Sequence, residues 1–140
     1  MRTHVTKPST INRKWHLIDA KGQVLGRLSS QISILLMGKH KVDFARNVDM
    51  GDHVVVINAL QVTVTGNKST QKVYRRHSGF PGGFSELSYA QVTAAHPDRI
   101  ITNAVAGMLP DNKLKDRVLR HLHVYPNDTH PYSQHFQAKV

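Results

Sequence analysis

The residues Asp52-His53-Val54-Val55-Val56-Ile57-Asn58 place four consecutive β-branched side chains near the middle of the chain. A strand with one face in water alternates apolar and polar residues. An unbroken apolar run is instead typical of a strand that is covered on both faces, as in a parallel sheet. The run therefore predicts that Val54 to Ile57 form a central strand that is nearly inaccessible to solvent.

The residues before this strand complete a strand-helix-strand unit. Trp15-His16-Leu17-Ile18-Asp19-Ala20 is a short apolar run followed by Lys21-Gly22, which predicts a first strand and a turn. A stripe at helical spacing then predicts an amphipathic helix that stops at Gly38. The apolar members of the stripe are Leu25, Leu28, Ile32, Leu35 and Leu36. Because such connections are almost always right-handed, the helix should cover one face of the sheet.

The segments after the central strand carry weaker signals. Val62 and Val64 alternate with threonines before Gly66-Asn67, which predicts a third strand, with Val73-Tyr74 as its partner in a short hairpin. The stretch from Arg75 to Phe84 contains three glycines and a proline, and we therefore predict a loop there.

The C-terminal half is predicted to be helical. A short helix is compatible with the residues from Leu87 to Ala95, and Pro97 is well placed to begin the next one. That helix has an apolar stripe from Ile100 to Leu109, and a further helix is predicted over Leu114 to Leu122. Val124-Tyr125 is a candidate for a final strand.

The length of 140 residues suits one compact domain, and the element order indicates an α/β fold with a small, mainly parallel sheet. Residues 1–14 mix threonine, proline and basic side chains without a period, so we expect an extended basic arm. Residues 126–140 contain two prolines and are expected to run over the surface as a tail.

The chain is strongly basic. Lysine and arginine number 19 against 9 acidic residues, which gives a net charge of +10 and an isoelectric point near 10.2. Lysine and arginine that neutralise phosphates release condensed counterions, so this charge favours a nucleic-acid partner. A generic positive surface is the alternative that composition alone leaves open.

Several classes of protein are disfavoured. The chain has no cysteine, which excludes disulfides and thiol nucleophiles. The basic N-terminus lacks the apolar run of a signal peptide, and no run approaches the ~18 residues of a membrane span, so we expect a cytoplasmic protein without a membrane partner.

Signals for catalysis are equally weak. Gly22-Gln23-Val24-Leu25-Gly26-Arg27 lies at the position of a dinucleotide-binding turn but lacks the required glycine spacing. Glu86 is the only glutamate, so paired carboxylates for acid-base chemistry are not indicated. His121, His123, His130 and His135 match no zinc motif and are interpreted as surface histidines near RNA. We therefore expect that the protein is not an enzyme and that it binds no metal, no cofactor and no small-molecule substrate.

Three basic clusters are the candidates for RNA contact. The first cluster follows the first helix and comprises Lys39, His40, Lys41 and Arg46. The second leads into the glycine-rich segment and comprises Lys68, Lys72, Arg75, Arg76 and His77. The third lies on the last helix and comprises Lys113, Lys115, Arg117 and Arg120. Glycines allow close approach of backbone to phosphates, and aromatic rings beside the charges could stack on bases. The expected contact residues are Lys14, Arg27, Lys39, His40, Lys41, Arg46, Lys68, Lys72, Tyr74, Arg75, Arg76, His77, Ser78, Gly79, Gly82, Gly83, Lys113, Lys115, Arg117 and Arg120. Phe80 is a further candidate for stacking, whereas core packing is preferred for Phe84.

The order and spacing of several motifs closely resemble the bacterial form of the ribosomal protein L-thirteen family of the large subunit. The most specific are Arg76-His77-Ser78-Gly79-Phe80-Pro81-Gly82-Gly83 and Gly107-Met108-Leu109-Pro110, and the weaker Gly38-Lys39-His40-Lys41 agrees with them. The resemblance covers nearly the whole chain. Departures occur at Ala106, usually basic in the family, at Lys115, often glycine, and at Pro126-Asn127, where a glycine-containing turn is usual.

This resemblance implies a three-layer α/β/α core and a structural role early in large-subunit assembly, with ribosomal RNA and neighbouring ribosomal proteins as partners. Two other functions remain open from the residues alone. One is an RNA or nucleotide enzyme on a Rossmann-like frame, which would need a pocket of convergent polar groups at the carboxyl ends of the strands. The other is a free-standing regulator that binds messenger RNA.

Overall fold

The computed structural model describes residues 5–136, which form a mixed α/β fold with five helices and five strands. Short 3-10 turns lie at Pro8–Thr10, Ala59–Gln61 and Ser133–His135. The helices are α1 (Leu25–Met37), α2 (Lys68–Gln71), α3 (Tyr89–Ala95), α4 (Pro97–Met108) and α5 (Lys115–Leu119), and the strands are β1 (Trp15–Asp19), β2 (His53–Ile57), β3 (Val73–His77), β4 (Phe84–Ser88) and β5 (Leu122–Val124).

The main sheet is small and parallel, with β2 between β1 and β5. In the register, Val55 lies beside Leu17 on one side and His123 on the other. Val54, Val55 and Val56 have no exposed surface, which confirms the predicted central strand. The final strand ends at Val124, slightly earlier than the predicted Val124-Tyr125.

Helix α1 follows its sequence pattern. Leu25, Leu28, Ile32 and Leu36 of its apolar stripe are buried in the core, and Leu35 packs partly buried against it. Helix α1 packs mainly against α4. Gly38 ends the helix in the left-handed region at φ 75°, as a glycine after a helix commonly does. The chain then returns so closely that a Cβ on Gly51 would lie 1.7 Å from the carbonyl oxygen of Leu36. This contact brings the start of β2 against the end of α1.

The predicted third strand is wrong. Thr63 forms only an isolated parallel bridge with Val24, and residues Lys68–Gln71 form the short helix α2 instead of a hairpin turn. Strand β3 pairs instead with β4. The sequence predicts the β4 segment to be partly loop and partly helix. The reason is that an alternating pattern shows only that a segment can be extended, not which segment supplies its partner.

The segment predicted as a loop from Arg75 to Phe84 is shorter than expected, since both ends belong to the β3–β4 hairpin and only residues 78–83 connect the strands. Gly79 and Gly82 adopt positive φ, and the backbone N–H of Ser78 donates to the carbonyl of Gly83 at 3.1 Å. A Cβ on Gly83 would lie 2.0 Å from Ser78 Oγ. The glycines thus close a compact tip that allows the strands to pair as far as His77 and Phe84.

The two faces of the parallel sheet differ in what covers them. Val54 and Val56 point into the core that contains α1 and α4. The opposite face bears Trp15, whose ring stacks between His53 at 4.3 Å and His135 at 4.1 Å. The C-terminal segment therefore packs onto this second face through aromatic contacts.

Candidate nucleic-acid interface

The β3–β4 hairpin presents cations on both of its faces. Side chains alternate along a strand, so Arg76 lies on one face, opposite Ser85, and Arg75 lies on the other, opposite Glu86. Both arginines and His77 are exposed. Because a two-stranded hairpin with so little buried surface is only marginally stable by itself, this ribbon is suited to being covered by a partner.

The arginines of the hairpin are not held inside the protein. Arg75 Nε donates to Glu86 Oε2 at 3.1 Å, but the two side chains are 66% and 40% exposed. Exposed pairs of this kind contribute about 0 to 1 kcal/mol and can exchange for another anion. Among the described residues Arg76 makes no ion pair, and Asp49 and Asp52 bind other cations. Arg76 is therefore unpaired among the described side chains, and Arg75 is held only by an exposed ion pair.

The aromatic residues near the hairpin are arranged differently from the expectation. Phe84 is 57% exposed, so the preference for core packing is wrong. It lies on the open face of the ribbon, opposite His77. Tyr74 is half-buried against the core, and burial raises the pKa of its phenol. Phe80, at 74% exposed, and Phe84 are thus better placed than Tyr74 to stack on unpaired bases.

A groove of about 1000 Å³ lies between one face of the hairpin and helices α3 and α4. Its cationic lining comes from Lys72 and Arg76 and, across the groove, from Arg99 beside His96. Sequence reasoning missed Arg99 and His96 because it ranked cations by their neighbours along the chain. The polar face of α4, opposite Ile100 and Ile101, was the available signal.

In the first basic cluster, the side chains of His40 and Lys41 bind other groups of the protein. Lys41 Nζ lies 2.6 Å from Asp52 Oδ1 and also donates to the carbonyls of Asn12 and Met50. His40 Nε2 lies 2.9 Å from Asp52 Oδ2. Lys41, only 18% exposed, is therefore a structural residue in the folded chain. Of this cluster, Lys39 and Arg46 remain exposed cations.

These contacts explain the charge state of Asp52. Burial alone would raise the pKa of this carboxyl group, but the bonds from Lys41, His16 and the Lys14 backbone outweigh it. The pKa is lowered to about 2. Asp52 therefore remains an anion that organises the surrounding cations.

The third cluster is mainly exposed. Lys113, Arg117 and Arg120 face solvent, whereas Lys115 Nζ binds Asp111 Oδ1 at 2.6 Å. This hydrogen bond lowers the pKa of Asp111. Among the other expected contact residues, Lys14, Arg27 and Lys68 are exposed. The expected set is thus brought together most closely around the hairpin and its groove.

The C-terminal histidines do not form the simple solvated surface that was expected. His121 Nε2 lies 3.0 Å from Asp49 Oδ2, and His123 stacks near Trp15. Burial lowers the pKa of both imidazoles. They therefore contribute to packing on the sheet, and the interpretation of His121 and His123 as surface histidines is wrong.

No helix in the described part of the chain is both long and apolar enough to cross a membrane.

Comparison with known proteins identifies the relationship. The family described as "Ribosomal protein L13" matches residues 13–131. The chain is 49% identical over 133 residues to the large ribosomal subunit protein uL13 of Chloroflexus aggregans, covering 95% of this chain and 93% of the relative. The proteins of the same name from Pseudomonas putida and Azotobacter vinelandii are also 49% identical, each covering 95% of this chain and 94% of the relative. The motif resemblance and the whole-chain similarity agree, and the chain belongs to the ribosomal protein L13 family.

Proposed function

We propose that the protein is a structural, non-enzymatic constituent of the large ribosomal subunit that binds ribosomal RNA and supports early subunit assembly. The observation that carries this proposal is the open β3–β4 hairpin, whose arginines are exposed on both faces beside a cationic groove. The names of the relatives place those proteins in the large subunit.

The mechanism is charge neutralisation combined with recognition of RNA shape. A-form RNA hides its base edges in a deep, narrow major groove, so a protein contacts mainly phosphates, sugars and unpaired bases. Arginine suits phosphate because its guanidinium donates two parallel hydrogen bonds. On the hairpin, Arg75 and Arg76 would bind phosphates while Phe80 and Phe84 stack on unpaired bases.

The contact surface extends beyond the hairpin. Exposed cations support contacts by Lys39 and Arg46 and by Lys113, Arg117 and Arg120, whereas at the tip, residues 78–83, the glycines would let the backbone approach phosphates closely. Arg99 joins the set, whereas Lys41 supports it indirectly through Asp52. Neighbouring ribosomal proteins are further partners in this proposal, and the names of the relatives give no support to a messenger-RNA regulator.

Two finer features of the architecture belong to the same proposal. Residues 1–14 would act as a basic arm along RNA, supported by the exposed Lys7 and Lys14; residues 1–4 lie outside the described part. The core would have three layers, with additional cover on the sheet face that bears Trp15. The stacking of His135 on that face supports this arrangement.

The test is the salt dependence of binding to a large-subunit RNA fragment that the protein protects from cleavage. Replacing Arg75 and Arg76 together by alanine should reduce the slope of log affinity against log salt by about 1.4 to 1.8, because two counterion-releasing contacts are lost. Lysine at both positions should restore the slope better than the affinity, since it keeps charge without the bidentate fork.

Lys21→Ala is the control, because it removes an exposed cation outside the expected set. Its slope should equal that of the wild type. If the double alanine variant retained wild-type affinity and slope but lost thermal stability, the arginines would be structural and the proposed contact would be wrong.

A further inference from the structure

A second pocket, of about 460 Å³, lies where the segment after α1 meets the end of α4 and helix α5. Its apolar walls come from distant parts of the chain and include Met37 in α1, Phe44 in the segment after it, Met108 in α4 and Val118 in α5. Among the described residues, this lining shares none with the groove beside the hairpin. We propose that the pocket receives one unpaired base of the RNA, an inference that rests on the proposed ribosomal function.

The walls of this pocket suit a flat, largely apolar ring. Phe44 is half-buried and offers an aromatic surface, and Met108 is 41% exposed at the end of α4. Methionine is flexible and polarizable, so it adapts to an aromatic partner. RNA recognition commonly places an unstacked base against aromatic side chains. The volume lies within the range of about 300 to 1000 Å³ that is typical of small-ligand pockets.

The pocket also has the charge that a phosphate group requires. Lys39 and Arg46 belong to its lining and are exposed, and among residues 5–136 neither makes an ion pair. Lys115 and Asp49, the other charged residues of the lining, are already paired within the protein. An aromatic ring and an anionic group are joined in every nucleotide, so a nucleotide complements this combination of apolar walls and unpaired cations.

Asn112 supplies a polar group at the same pocket. Its Oδ1 accepts a hydrogen bond from the backbone N–H of Leu114 at 3.1 Å, which fixes the orientation of the side-chain amide. The Nδ2 group, with its two N–H donors, points away from that bond. We therefore expect the inserted base to present an acceptor to Asn112, either a carbonyl oxygen or a ring nitrogen.

The wild-type protein can report an occupied pocket without any substitution. In the full chain with ¹³C-labelled methionine methyl groups, binding of the same large-subunit RNA fragment should move the Met37 and Met108 signals upfield. The reason is that a base stacked against a methyl group shields it. Met50 is buried and is not part of the lining, so its signal should move far less and serves as the internal control.

Ala45→Leu tests the pocket by narrowing it, because Ala45 is half-buried in the lining. Loss of one stacked base should reduce RNA affinity by about fivefold or more. The slope of log affinity against log salt should stay at the wild-type value, because no cation is removed. Ala94→Leu makes the same change at an exposed position of α3 outside both pockets and should keep wild-type affinity.

Two results would overturn the proposal. One is a bound fragment that leaves the Met37 and Met108 signals in place, and the other is wild-type affinity in folded Ala45→Leu. If Ala45→Leu bound RNA normally but no longer sedimented with large subunits, the pocket would instead belong to an interface with a neighbouring protein. The salt slope that depends on Arg75 and Arg76 is measured separately, so failure of the hairpin contact is distinguishable from an empty pocket.

Discussion

At Asp52 a fully buried carboxylate joins three basic side chains from different parts of the chain, namely Lys41, His16 and His40. A buried charge is tolerated only when it is paired and hydrogen-bonded. This residue therefore explains why Lys41 and His40, which are basic residues in a loop, serve the fold and not the surface.

The lowered pKa of Asp52 predicts a pH dependence of folding. The pKa is about 2 in the folded protein against 3.8 for the free group, so the unfolded chain takes up the proton first. The resulting stabilisation, on the order of 2 kcal/mol, is present above pH ~4 and lost as the pH falls toward 2. Urea unfolding at a series of pH values should show this loss.

Asp52→Asn is the matched variant for this prediction. It should be less stable than the wild type at pH 7, and its stability should change less between pH 4 and 2. Equal acid sensitivity of the two proteins would show that another group is responsible.

His53 predicts a separate effect at higher pH. Burial, together with neighbouring His121 and His123, lowers its pKa from 6.5 to about 4. The unfolded chain therefore binds the proton first, and the stability contribution present above pH 6.5 declines as the pH falls through 4. His53→Phe keeps a ring against Trp15 but cannot titrate, so its unfolding should depend less on pH in this window. An unchanged pH profile would contradict the assignment.

At the scale of elements, the molecule combines a rigid unit with an exposed one. Strand β2 lies between β1 and β5 and is largely buried. Strands β3 and β4 form a hairpin whose residues are largely exposed. The hairpin depends on its tip, because the Gly83 position leaves no room for a Cβ. Damage to the tip should therefore be local.

Gly83→Ala tests this separation of elements. The added methyl group would meet Ser78 Oγ and the Phe80 carbonyl, so the hairpin should lose order while the core remains folded. We expect at least about tenfold weaker RNA binding, which corresponds to ~1.4 kcal/mol, with a small change in the main thermal transition. Gly26→Ala in α1 has open space at its Cβ and should leave RNA binding unchanged. Loss of the cooperative core transition in Gly83→Ala would show that hairpin and core are one unit.

At the scale of the whole molecule, the buried residues form an apolar core, and the chain as a whole has a net charge of +10. A net positive charge of this size opposes self-association, because two copies repel each other, and it promotes binding to polyanions. The charge thus favours an RNA partner over a second copy of the chain.

The isolated protein should accordingly fold and remain monomeric at physiological salt, because its charge repels a second copy. Light scattering together with sedimentation would measure this. A stable dimer under those conditions would contradict the prediction and would indicate that an exposed apolar face, such as that around Leu17, is a protein interface.

The sequence by itself determined the central strand, the boundaries of α1, the start of α4 and the basic character, because these follow from local periodicity and composition. Tertiary structure decided the pairing of β3 with β4 and the groove between the hairpin and α4. It also decided which cations are free: Asp52 binds Lys41 from 11 residues away but His16 from 36 residues away. Local patterns report which face of an element is apolar, whereas the partner of a charged side chain depends on contacts between distant segments that form only when the chain folds.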